Sequence, residues 1–497
     1  MAPRKDEEQV MHELVDLVNL NMAGHMATGY SQVDLCKATD PFCRLLACLE
    51  ELKKMQRRRK GGLPAPPPEP FTKLTQWLGE NGVDVASFPV AIAADIGQEG
   101  SGLVARRDLT EGELLVSIPE RLLLSLQSAD ENGVGELKAK VLDAIPSVKL
   151  ALHLWMELQK PKSFWKPYID SLPRTLSLPI FWTVEELQSL RGTIVQGDAL
   201  KSVVTTAMQY IHVFQEFQRL ERKRDILAFS YEEWAWCVGI VMSRQNKVPL
   251  GGSGRPQPTL IPFWDLFNHS KGEITTFWNT EHRTLDSLSM ESVKEGEQAY
   301  MHYGYRHNGL LLLYQGFVYD DNIHDCITVP YSILSDEDKL KPAKAAFLMK
   351  HETHNMKVTF KKGEEIAKSR AMLASRISVA TMEEVKALNA MEEPMGKEVS
   401  LDNEVKAVQL LTAALDYVVG LRETVRNAGP KVEEEKEITP NAALGHKLYA
   451  LEEAILTEAR RQLDASRTSL KRRAKNRKKK QSKRQKAVMQ TVVDDVD

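Results

Sequence analysis

The stretch LIPFWDLFNHS, residues 260–270, sets a tryptophan, an aspartate, an asparagine and a histidine inside an apolar run. An apolar run excludes Asn and His unless their donors and acceptors find partners, so one interpretation is a strand end with a satisfied polar cap. The alternative is a functional site. Two neighbouring stretches favour this alternative: Ser243–Asn246 (SRQN) upstream and Gly296–Asn308 (GEQAYMHYGYRHN) downstream.

The composition is that of an ordinary globular protein. The chain has 497 residues, of which 42% are hydrophobic and 27% charged, enough for two or three domains. It contains no apolar run of about 18 residues and no apolar segment behind its charged first residues, so neither a membrane span nor a secretory signal is predicted. We therefore expect an intracellular, cytoplasmic protein without membrane contacts.

The cysteine pattern favours reduced thiols. The five cysteines are an odd number without CxxC spacing, which supports neither a disulfide framework nor a zinc cluster. They are Cys36, Cys43, Cys48, Cys237 and Cys326.

The charge is unevenly distributed. The net charge is only −2, yet Lys471–Lys486 holds eleven Lys or Arg residues and no acid. This basic cluster fits a nuclear import signal, a contact for RNA or an acidic partner, or a simple solvated tail. Because no nucleic-acid-binding module accompanies it, nucleic acid is expected to contact at most this tail, and the nucleus is an additional location only if the cluster directs import.

The first 62 residues are predicted to form an N-terminal helical segment. Apolar residues recur at helical spacing from residue 10 to 18, and Asp40-Pro41 supplies an N-cap and a first-turn proline for a second helix. The simplest interpretation of the basic run Lys53–Lys60 is the solvated end of that helix. Residues 63–70 are proline-rich, which predicts a stiff linker and a domain boundary.

Residues 71–330 are predicted to form an α+β domain of short strands. Helical spacing over about 128–227 predicts a helical insertion in this domain, and Tyr231–Ser243 predicts a further helix. The predicted strands are Val90–Ala93, Gly102–Ala105, Glu113–Pro119, Thr259–Pro262, Thr275–Trp278, Leu285–Ser289 and Gln298–His302.

The C-terminal third is predicted to be helical. After a strand at Ile327–Tyr331, residues 331–465 form an all-α domain whose best elements are Asn403–Asn427 and Asn441–Leu463. The highly charged residues 466–497 are predicted to be a disordered tail.

Several of these motifs resemble the separated halves of a SET-domain protein methyltransferase. They are Gly100–Pro119 (GSGLVARRDLTEGELLVSIP), the SRQN and LIPFWDLFNHS stretches, GEQAYMHYGYRHN and the following Leu310–Asn322. The helical insertion and the helical C-terminal region resemble the branch typified by plant Rubisco large-subunit methyltransferase. Within that branch, the RQN, WD-x-x-NH and YG-x-R elements resemble the group that methylates a histidine of actin. The resemblance implies a SET fold with a C-terminal helical domain that binds the substrate.

The resemblance also implies S-adenosyl-L-methionine as the cofactor and no metal. Arg244 would pair with the cofactor carboxylate, Asn268 and His269 would hold its amino group and adenine, and Phe317 would lie near the adenine. Taken alone, Gly100-Ser101-Gly102 is an ordinary turn, although it allows close backbone approach. The cofactor residues implied are Gly100, Gly102, Arg244, Asn268, His269, Phe317 and Tyr303.

One position departs from the family pattern. Other members carry an arginine where this chain has Val104, which leaves Arg106 or Arg107 as substitutes for that contact with the cofactor carboxylate.

Tyr303 matches the family tyrosine beside the transferring methyl group. A phenol there can orient the nucleophile and stabilise the positive methyl group through CH···O contacts. Without the resemblance, Tyr303 would be one more buried aromatic residue. The same motif pattern implies that Asn246, Trp264, Asp265 and Arg306 contact the substrate.

Substrate choice depends on Asn246 and Trp264. Imidazole is near neutral at physiological pH, whereas a lysine must lose a proton before it attacks. An asparagine can fix the imidazole tautomer by hydrogen bonding to the nitrogen that does not react, and Trp264 can form a flat wall. Asn246 could instead cap the strand that follows it. We therefore expect a monomeric protein-histidine N-methyltransferase acting on actin, with a lysine methyltransferase of the same fold or a non-catalytic SET interaction protein as alternatives.

Overall fold

The structure is a computed structural model that describes residues 5–28, 33–35, 37–250, 254–351, 357–428 and 438–494. Its helices are α1 (Lys5–Thr28), α2 (Pro41–Lys60), α3 (Pro70–Glu80), α4 (Leu126–Glu131), α5 (Lys140–Ala144), α6 (Pro146–Leu158), α7 (Lys166–Ser171), α8 (Val184–Gln188), α9 (Gln196–Arg219), α10 (Lys223–Ala228), α11 (Tyr231–Arg244), α12 (Asn308–Gln315), α13 (Lys341–Lys350), α14 (Arg370–Ser378), α15 (Met382–Asn389), α16 (Leu401–Asn427) and α17 (Pro440–Asp494). Its strands are β1 (Val90–Ala93), β2 (Gly102–Ala105), β3 (Leu114–Pro119), β4 (Asn246–Val248), β5 (Gln257–Thr259), β6 (Asn268–His269), β7 (Thr276–Asn279), β8 (Thr284–Leu288), β9 (Gln298–Met301), β10 (Cys326–Ser332) and β11 (Lys357–Lys361).

The chain divides into two compact units. The first unit comprises residues 1–190, 195–322 and 433–445, and the second comprises residues 191–194, 323–432 and 446–497. The longest run of the first unit ends at residue 322, whereas the sequence predicted a domain boundary after residue 330. None of the described helices is long and apolar enough to cross a membrane.

The first unit includes the N-terminal helices, although the proline-rich segment predicted a boundary there. Helix α2 begins as expected, with Asp40 Oδ1 accepting a hydrogen bond from the backbone N–H of Phe42 at 2.8 Å. Its buried Gln56 then donates to the Tyr210 hydroxyl and accepts from the Tyr231 backbone N–H, each at 2.8 Å. These bonds tie α2 to α9 and α11. The linker thus joins two parts of one core.

The basic end of α2 is also bound within the first unit. Arg57 forms a two-pronged pair with Glu232, at 2.8 Å for each nitrogen, and Lys60 pairs with Glu233 at 2.6 Å. Arg59 pairs with Glu7 at 3.0 Å, across to α1. The prediction of a solvated helix end is therefore only partly right. Lys54, Arg57 and Arg58 are exposed, but acids distant in sequence pair with Arg57, Arg59 and Lys60.

Small sheets form the β part of the first unit. One sheet has the order β1-β2-β9-β6, in which β6 runs parallel to β9 and the other pairs are antiparallel. A second sheet has the order β3-β8-β7, and β4 pairs with β5. Helices α4 to α11 separate β3 from β4, and α4 to α10 form the predicted insertion. The predicted strands are confirmed within a few residues.

The second unit is built around helices and one antiparallel pair of strands, β10 and β11. Its core joins the buried residues Val329, Phe360, Leu411, Leu415 and Leu456 from two strands and two helices. Strand β11 was not predicted within the helical C-terminal region, although its alternating Val358 and Phe360 are buried on one face.

Helix α17 differs most from the prediction. It continues to Asp494, whereas residues 466–497 were predicted to be disordered. Leu470 is only 5% exposed, and Arg473 makes a two-pronged ion pair with Glu398 at 2.6 and 2.7 Å. Lys, Arg, Gln and Ala favour helix, so a helix that begins on a buried apolar face extends through them at little cost.

This packing predicts two different outcomes for two truncations. Deleting residues 466–497 removes the buried Leu470, which contributes about 1.5–3 kcal/mol, and we expect the melting temperature to fall by roughly 3–12 °C. Deleting residues 474–497 keeps Leu470 and the Arg473–Glu398 pair, so we expect the melting temperature to stay within about 1 °C. Differential scanning calorimetry of both proteins measures this. Equal melting temperatures would show that Leu470 does not stabilise the second unit.

Candidate active site

A strained turn at Phe263 positions the LIPFWDLFNHS stretch, residues 260–270, in the fold. Phe263 adopts a φ of 68°, a left-handed conformation that is costly for a bulky residue. Its side chain is fully buried and packs edge-on against Phe88 at 5.4 Å. A single 3-10 turn, Trp264–Leu266, follows and leads the chain into β6. Tight packing around Phe263 therefore directs Trp264 and Asp265 to one side and Asn268-His269 into the sheet.

A pocket of about 120 Å³ lies beside this turn. Six of the predicted site residues line it, and they come from α11, β4, the turn and the segment after β9. They are Arg244, Asn246, Trp264, Asp265, Tyr303 and Arg306.

Tyr303 is held as a neutral phenol. Its hydroxyl donates to the Phe267 backbone carbonyl at 2.7 Å, and burial raises its pKa to about 12. The Tyr303 hydroxyl therefore keeps its proton at physiological pH, and that proton is hydrogen-bonded to the Phe267 carbonyl. The oxygen lone pairs remain available to a group in the pocket, so Tyr303 can act as an acceptor but is a poor general base.

Asp265 is a buried carboxylate with two partners. Tyr168 OH donates to its Oδ2 at 2.7 Å, and Arg244 Nη1 lies 3.4 Å from the same oxygen. Burial raises the pKa of Asp265, while Arg244 and Tyr168 act against this shift. Arg244 Nη1 also donates to the Asp265 backbone carbonyl at 2.7 Å. Asp265 therefore orients Arg244, and its contact with the substrate stays a prediction.

Asn246 and Trp264 are both fixed by hydrogen bonds. Asn246 Oδ1 accepts from the Lys247 backbone N–H at 2.8 Å, so part of the capping alternative is present. That oxygen keeps a second lone pair, and Nδ2 donates to no residue that the structure describes. Trp264 Nε1 donates to Thr276 Oγ1 at 3.2 Å, which sets the plane of the indole. Both side chains are thus oriented before a substrate arrives.

Arg306 brings a positive charge to the pocket. Burial lowers its pKa, although a guanidinium stays charged under all ordinary conditions. Its backbone carbonyl accepts from Asn322 Nδ2 at 2.8 Å, which anchors the segment. Within the described residues, its guanidinium makes no ion pair. The only acid lining the pocket, Asp265, is already paired with Arg244.

A second group of predicted residues lies along β2, β6 and β9. Asn268 Nδ2 donates to the Ser101 carbonyl at 3.1 Å and to Gln298 Oε1 at 2.8 Å. A Cβ added at Gly102 would lie 2.6 Å from Gln298 Oε1 and 2.9 Å from Asn268 Nδ2. A larger residue at position 102 would therefore displace the Asn268 and Gln298 side chains from these positions. Gly100, with a φ of 74°, also needs the freedom of glycine.

His269 joins the two groups. Its Nδ1 accepts from the Tyr303 backbone N–H at 3.1 Å, a bond whose tautomer is inferred from the donor. Its ring lies 5.1 Å from the Tyr303 ring, 5.8 Å from Phe317 and 5.6 Å from Tyr319, measured between centroids. His269 and Phe317, both predicted to lie near the adenine, are therefore neighbours, and their roles stay predictions.

The residues present fit the cofactor that the resemblance implies. An amino-acid sulfonium with an adenine ring needs an acceptor for its ammonium, a cation for its carboxylate and an apolar face for its base. Asn268 Oδ1, which accepts from no described residue, suits the ammonium. Arg244 keeps nitrogens beyond Nη1 for the carboxylate, and Phe317 offers the apolar face. Across the described ranges, no group of three or more His, Cys, Asp and Glu side chains could hold a metal ion.

The proposed substitutes for the missing arginine at Val104 are engaged elsewhere. Arg106 Nε donates to the Val90 carbonyl at 3.1 Å, and Arg107 pairs with Glu113. Arg107 is exposed on the surface. Within the residues that the structure describes, the Arg106 side chain bonds only through Nε, so like Arg244 it keeps nitrogens for a carboxylate, and its assignment stays a prediction.

Several residues at the site were not predicted. Tyr168 comes from insertion helix α7, and Thr276 and Gln298 come from β7 and β9. Gln315 also lines the pocket, and its buried Oε1 finds no partner in the described part of the chain. Thr276, Gln298 and Gln315 lie in stretches that the sequence singled out, although no role was predicted for them. Nothing local could have indicated Tyr168, which contacts Asp265 across 97 positions.

Comparison with known proteins gives consistent matches. A family model described as "SET domain" matches residues 100–304. The chain is 30% identical over 446 residues to the "Actin-histidine N-methyltransferase" of Gallus gallus, covering 87% of this chain and 74% of the relative. It is 29% identical over 442 residues to that of Mus musculus, covering 85% and 73%. The fold is similar to the "SET domain of LSMT bound to Lysine and AdoHcy", with a TM-score of 0.60 at 20% identity, covering 81% of this chain and 93% of that one. It is also similar to "Rubisco LSMT bound to AdoMet", with a TM-score of 0.56 at 22% identity and the same coverage.

The Tyr168–Asp265 bond predicts a stability loss that depends on pH. Tyr168→Phe removes a hydrogen bond to a charged group, which costs about 1.5–3 kcal/mol at neutral pH. It also raises the pKa of Asp265 in the folded state further above its unfolded value. Because the folded protein favours the protonated carboxyl, the loss is largest where Asp265 is charged and shrinks as the pH falls through its pKa. Urea unfolding from neutral to acidic pH measures this.

Tyr210→Phe is the matched control for this experiment. Tyr210 is equally buried, but its hydroxyl meets the neutral amide of Gln56. Its cost should therefore be constant over the same pH range. Parallel pH profiles for the two variants would contradict a charged Asp265.

Proposed function

We propose that this chain, which belongs to the SET-domain family of protein methyltransferases, transfers a methyl group from S-adenosylmethionine to a histidine side chain of actin. The observation that carries the choice of histidine is the positive charge of Arg306 in a pocket whose single acid, Asp265, already pairs with Arg244. The relatives that cover most of the chain are named for the same activity.

The charge of the pocket favours a neutral nucleophile. Two like charges about 6 Å apart repel by roughly 3 kcal/mol at an effective dielectric constant of about 20. This exceeds the roughly 0.5–2 kcal/mol that a lysine ammonium gains over an aromatic face such as Trp264. A neutral imidazole is not repelled by the charge of Arg306. Arg306 therefore supports histidine over lysine as the target.

Asn246 would select the reactive tautomer. The attacking nitrogen must have a free lone pair, so the other nitrogen of the ring carries the proton and needs an acceptor. Asn246 Oδ1 has one lone pair left after its bond with the Lys247 N–H, and that bond holds it in place. Trp264, oriented by Thr276, confines the ring to a plane. Together these residues would hold the imidazole ready for attack.

Tyr303 would guide the transfer itself. The bound cofactor supplies an electrophilic methyl group on a sulfonium. The Tyr303 oxygen, whose own proton points to the Phe267 carbonyl, presents lone pairs that can accept CH···O contacts from that methyl group. Because the phenol keeps its proton, it orients and stabilises without taking the proton of the substrate. The imidazolium product can lose its ring proton to water.

The setting of the reaction is part of the proposal. We infer a cytoplasmic enzyme that acts as a monomer, because actin is a cytoplasmic protein and the pocket is formed within one chain. The lysine-methylating alternative would share the fold and the cofactor but not the benefit of a cationic pocket. The non-catalytic alternative is disfavoured by the intact set of Arg244, Asn268, His269 and Tyr303.

The direct test is mass spectrometry of actin incubated with the purified protein and S-adenosylmethionine. We expect a single added methyl group on one histidine.

Tyr303→Phe should abolish or greatly reduce the product while leaving cofactor affinity nearly unchanged, since its oxygen acts on the transferring methyl. Asn268→Ala should lower the product through weaker cofactor binding, which calorimetry measures. Unchanged affinity in Asn268→Ala would remove Asn268 from the cofactor site, and methylated lysine without methylated histidine would establish the alternative.

The pocket also predicts how to change its preference. Asn246→Phe with Trp264→Ala should shift activity toward lysine, because the first removes the tautomer-selecting bond and adds an aromatic face while the second opens room for an alkylamine. A lost hydrogen bond costs about 1–3 kcal/mol, or roughly 5- to 150-fold. Wild type and variant are compared on one actin peptide with either His or Lys at the target position. Adding Arg306→Gln should raise lysine activity further, since it removes the repulsion. A wild-type preference for the lysine peptide would refute the histidine assignment.

A further inference from the structure

Helix α17 continues past Leu470, which is the last buried apolar residue among the side chains that the structure describes. Leu463 and Leu470 are buried, and beyond Leu470 the described residues 471–483 are exposed except for the half-buried Ala474. This stretch reads KRRAKNRKKKQSK and contains no acid. It adds nothing to the core, so its charge needs another explanation.

The basic residues of this stretch are not neutralised by the protein. Arg473 pairs with Glu398. The remaining eight make no ion pair with any described residue, and all eight are exposed. They are Lys471, Arg472, Lys475, Arg477, Lys478, Lys479, Lys480 and Lys483.

Helical geometry gathers most of these charges on one side. At about 100° per residue, six of the eight fall within an arc of roughly 140°. They are Lys471, Arg472, Lys475, Lys478, Lys479 and Lys483. The residues that hold α17 in the second unit, including Ala459, Leu463, Leu470 and Arg473, fall on the opposite side. The packing therefore turns the six charges outward, and the Arg473–Glu398 pair fixes that orientation at the point where the core ends. We name these six residues the basic face.

We propose that the basic face of α17 binds the phosphate backbone of nucleic acid. Over its 13 residues the helix rises about 18 Å, and duplex DNA places one phosphate charge per about 1.7 Å of its axis, so the six cations can all find anions. Phosphate recognition needs charge and no apolar anchor.

The absence of an apolar anchor decides against other partners. A helix that lies on a membrane needs an apolar face opposite its charges, and a protein interface needs buried aromatic or aliphatic residues at its centre. Within residues 471–483, Ala474 is the only apolar side chain. A partner held by charge alone, with binding insensitive to base sequence, suits this surface best.

Fluorescence anisotropy of the full chain with a labelled DNA duplex and a labelled single-stranded RNA tests the proposal, with polyglutamate as an acidic competitor. We expect binding to both nucleic acids without sequence preference. For the duplex, the plot of log affinity against log salt should have a slope near about −5, as six phosphate contacts predict. Failure to bind, or displacement by polyglutamate at equal charge concentration, would overturn the proposal.

Two matched double variants test the geometry. Lys475→Gln with Lys479→Gln removes two charges from the basic face, and Arg477→Gln with Lys480→Gln removes two charges outside it. The first should reduce the salt slope by about 1.8 and weaken binding strongly, whereas the second should change the slope much less. Equal losses would mean that binding follows net charge and not the face, which would refute the inference. Both variants keep the predicted catalytic residues, so actin methylation can fail or succeed independently of this result.

Discussion

Asp265 is the constraint on which the rest of the site depends. A carboxylate in the protein interior needs an ion pair or hydrogen bonds to compensate its charge. Arg244 pairs with Asp265, and the Tyr168 hydroxyl donates a hydrogen bond to it. Arg244 ends α11 and Tyr168 lies in the insertion, so one buried charge brings together three separate parts of the chain. The shape of the pocket therefore depends on the interactions that compensate the charge of Asp265. Removing either partner would leave the buried charge with only one compensating group.

The strand β6 has only two residues, yet it serves both halves of the site. Asn268 pairs in register with Tyr300 and His269 with Met301, which is one residue removed from the His302-Tyr303 segment of the pocket. Successive residues of a strand face opposite sides. Asn268 can thus reach Ser101 and Gln298 while His269 contacts Tyr303 and Phe317. A parallel pairing this short is held in place by its side-chain bonds more than by its ladder.

The sequence predicted what depends on local pattern and missed what depends on distant contacts. The strands around the motifs, the insertion and the caps of α2 follow from alternation, spacing and Asp40. Six site residues meet in one pocket because each belongs to a compact motif. Tyr168 and the neutralised base Lys60 could not be predicted, since each acquires its partner only after the chain folds over 97 or more positions. High charge density predicts disorder for residues 466–497. Their helix propensity and the buried Leu470 instead favour a helix.

Gln56 sets a lower limit on the length of a fragment that can fold on its own. The family model begins at Gly100, but Gln56 satisfies two polar groups in the middle of the first unit, the Tyr210 hydroxyl and the first N–H of α11. A fragment that starts after the proline-rich segment would expose the face of α9 and α11 that α2 covers and leave Glu232 and Glu233 without their cations. The autonomous folding unit is therefore longer than the stretch that the family model matches, and it includes α2.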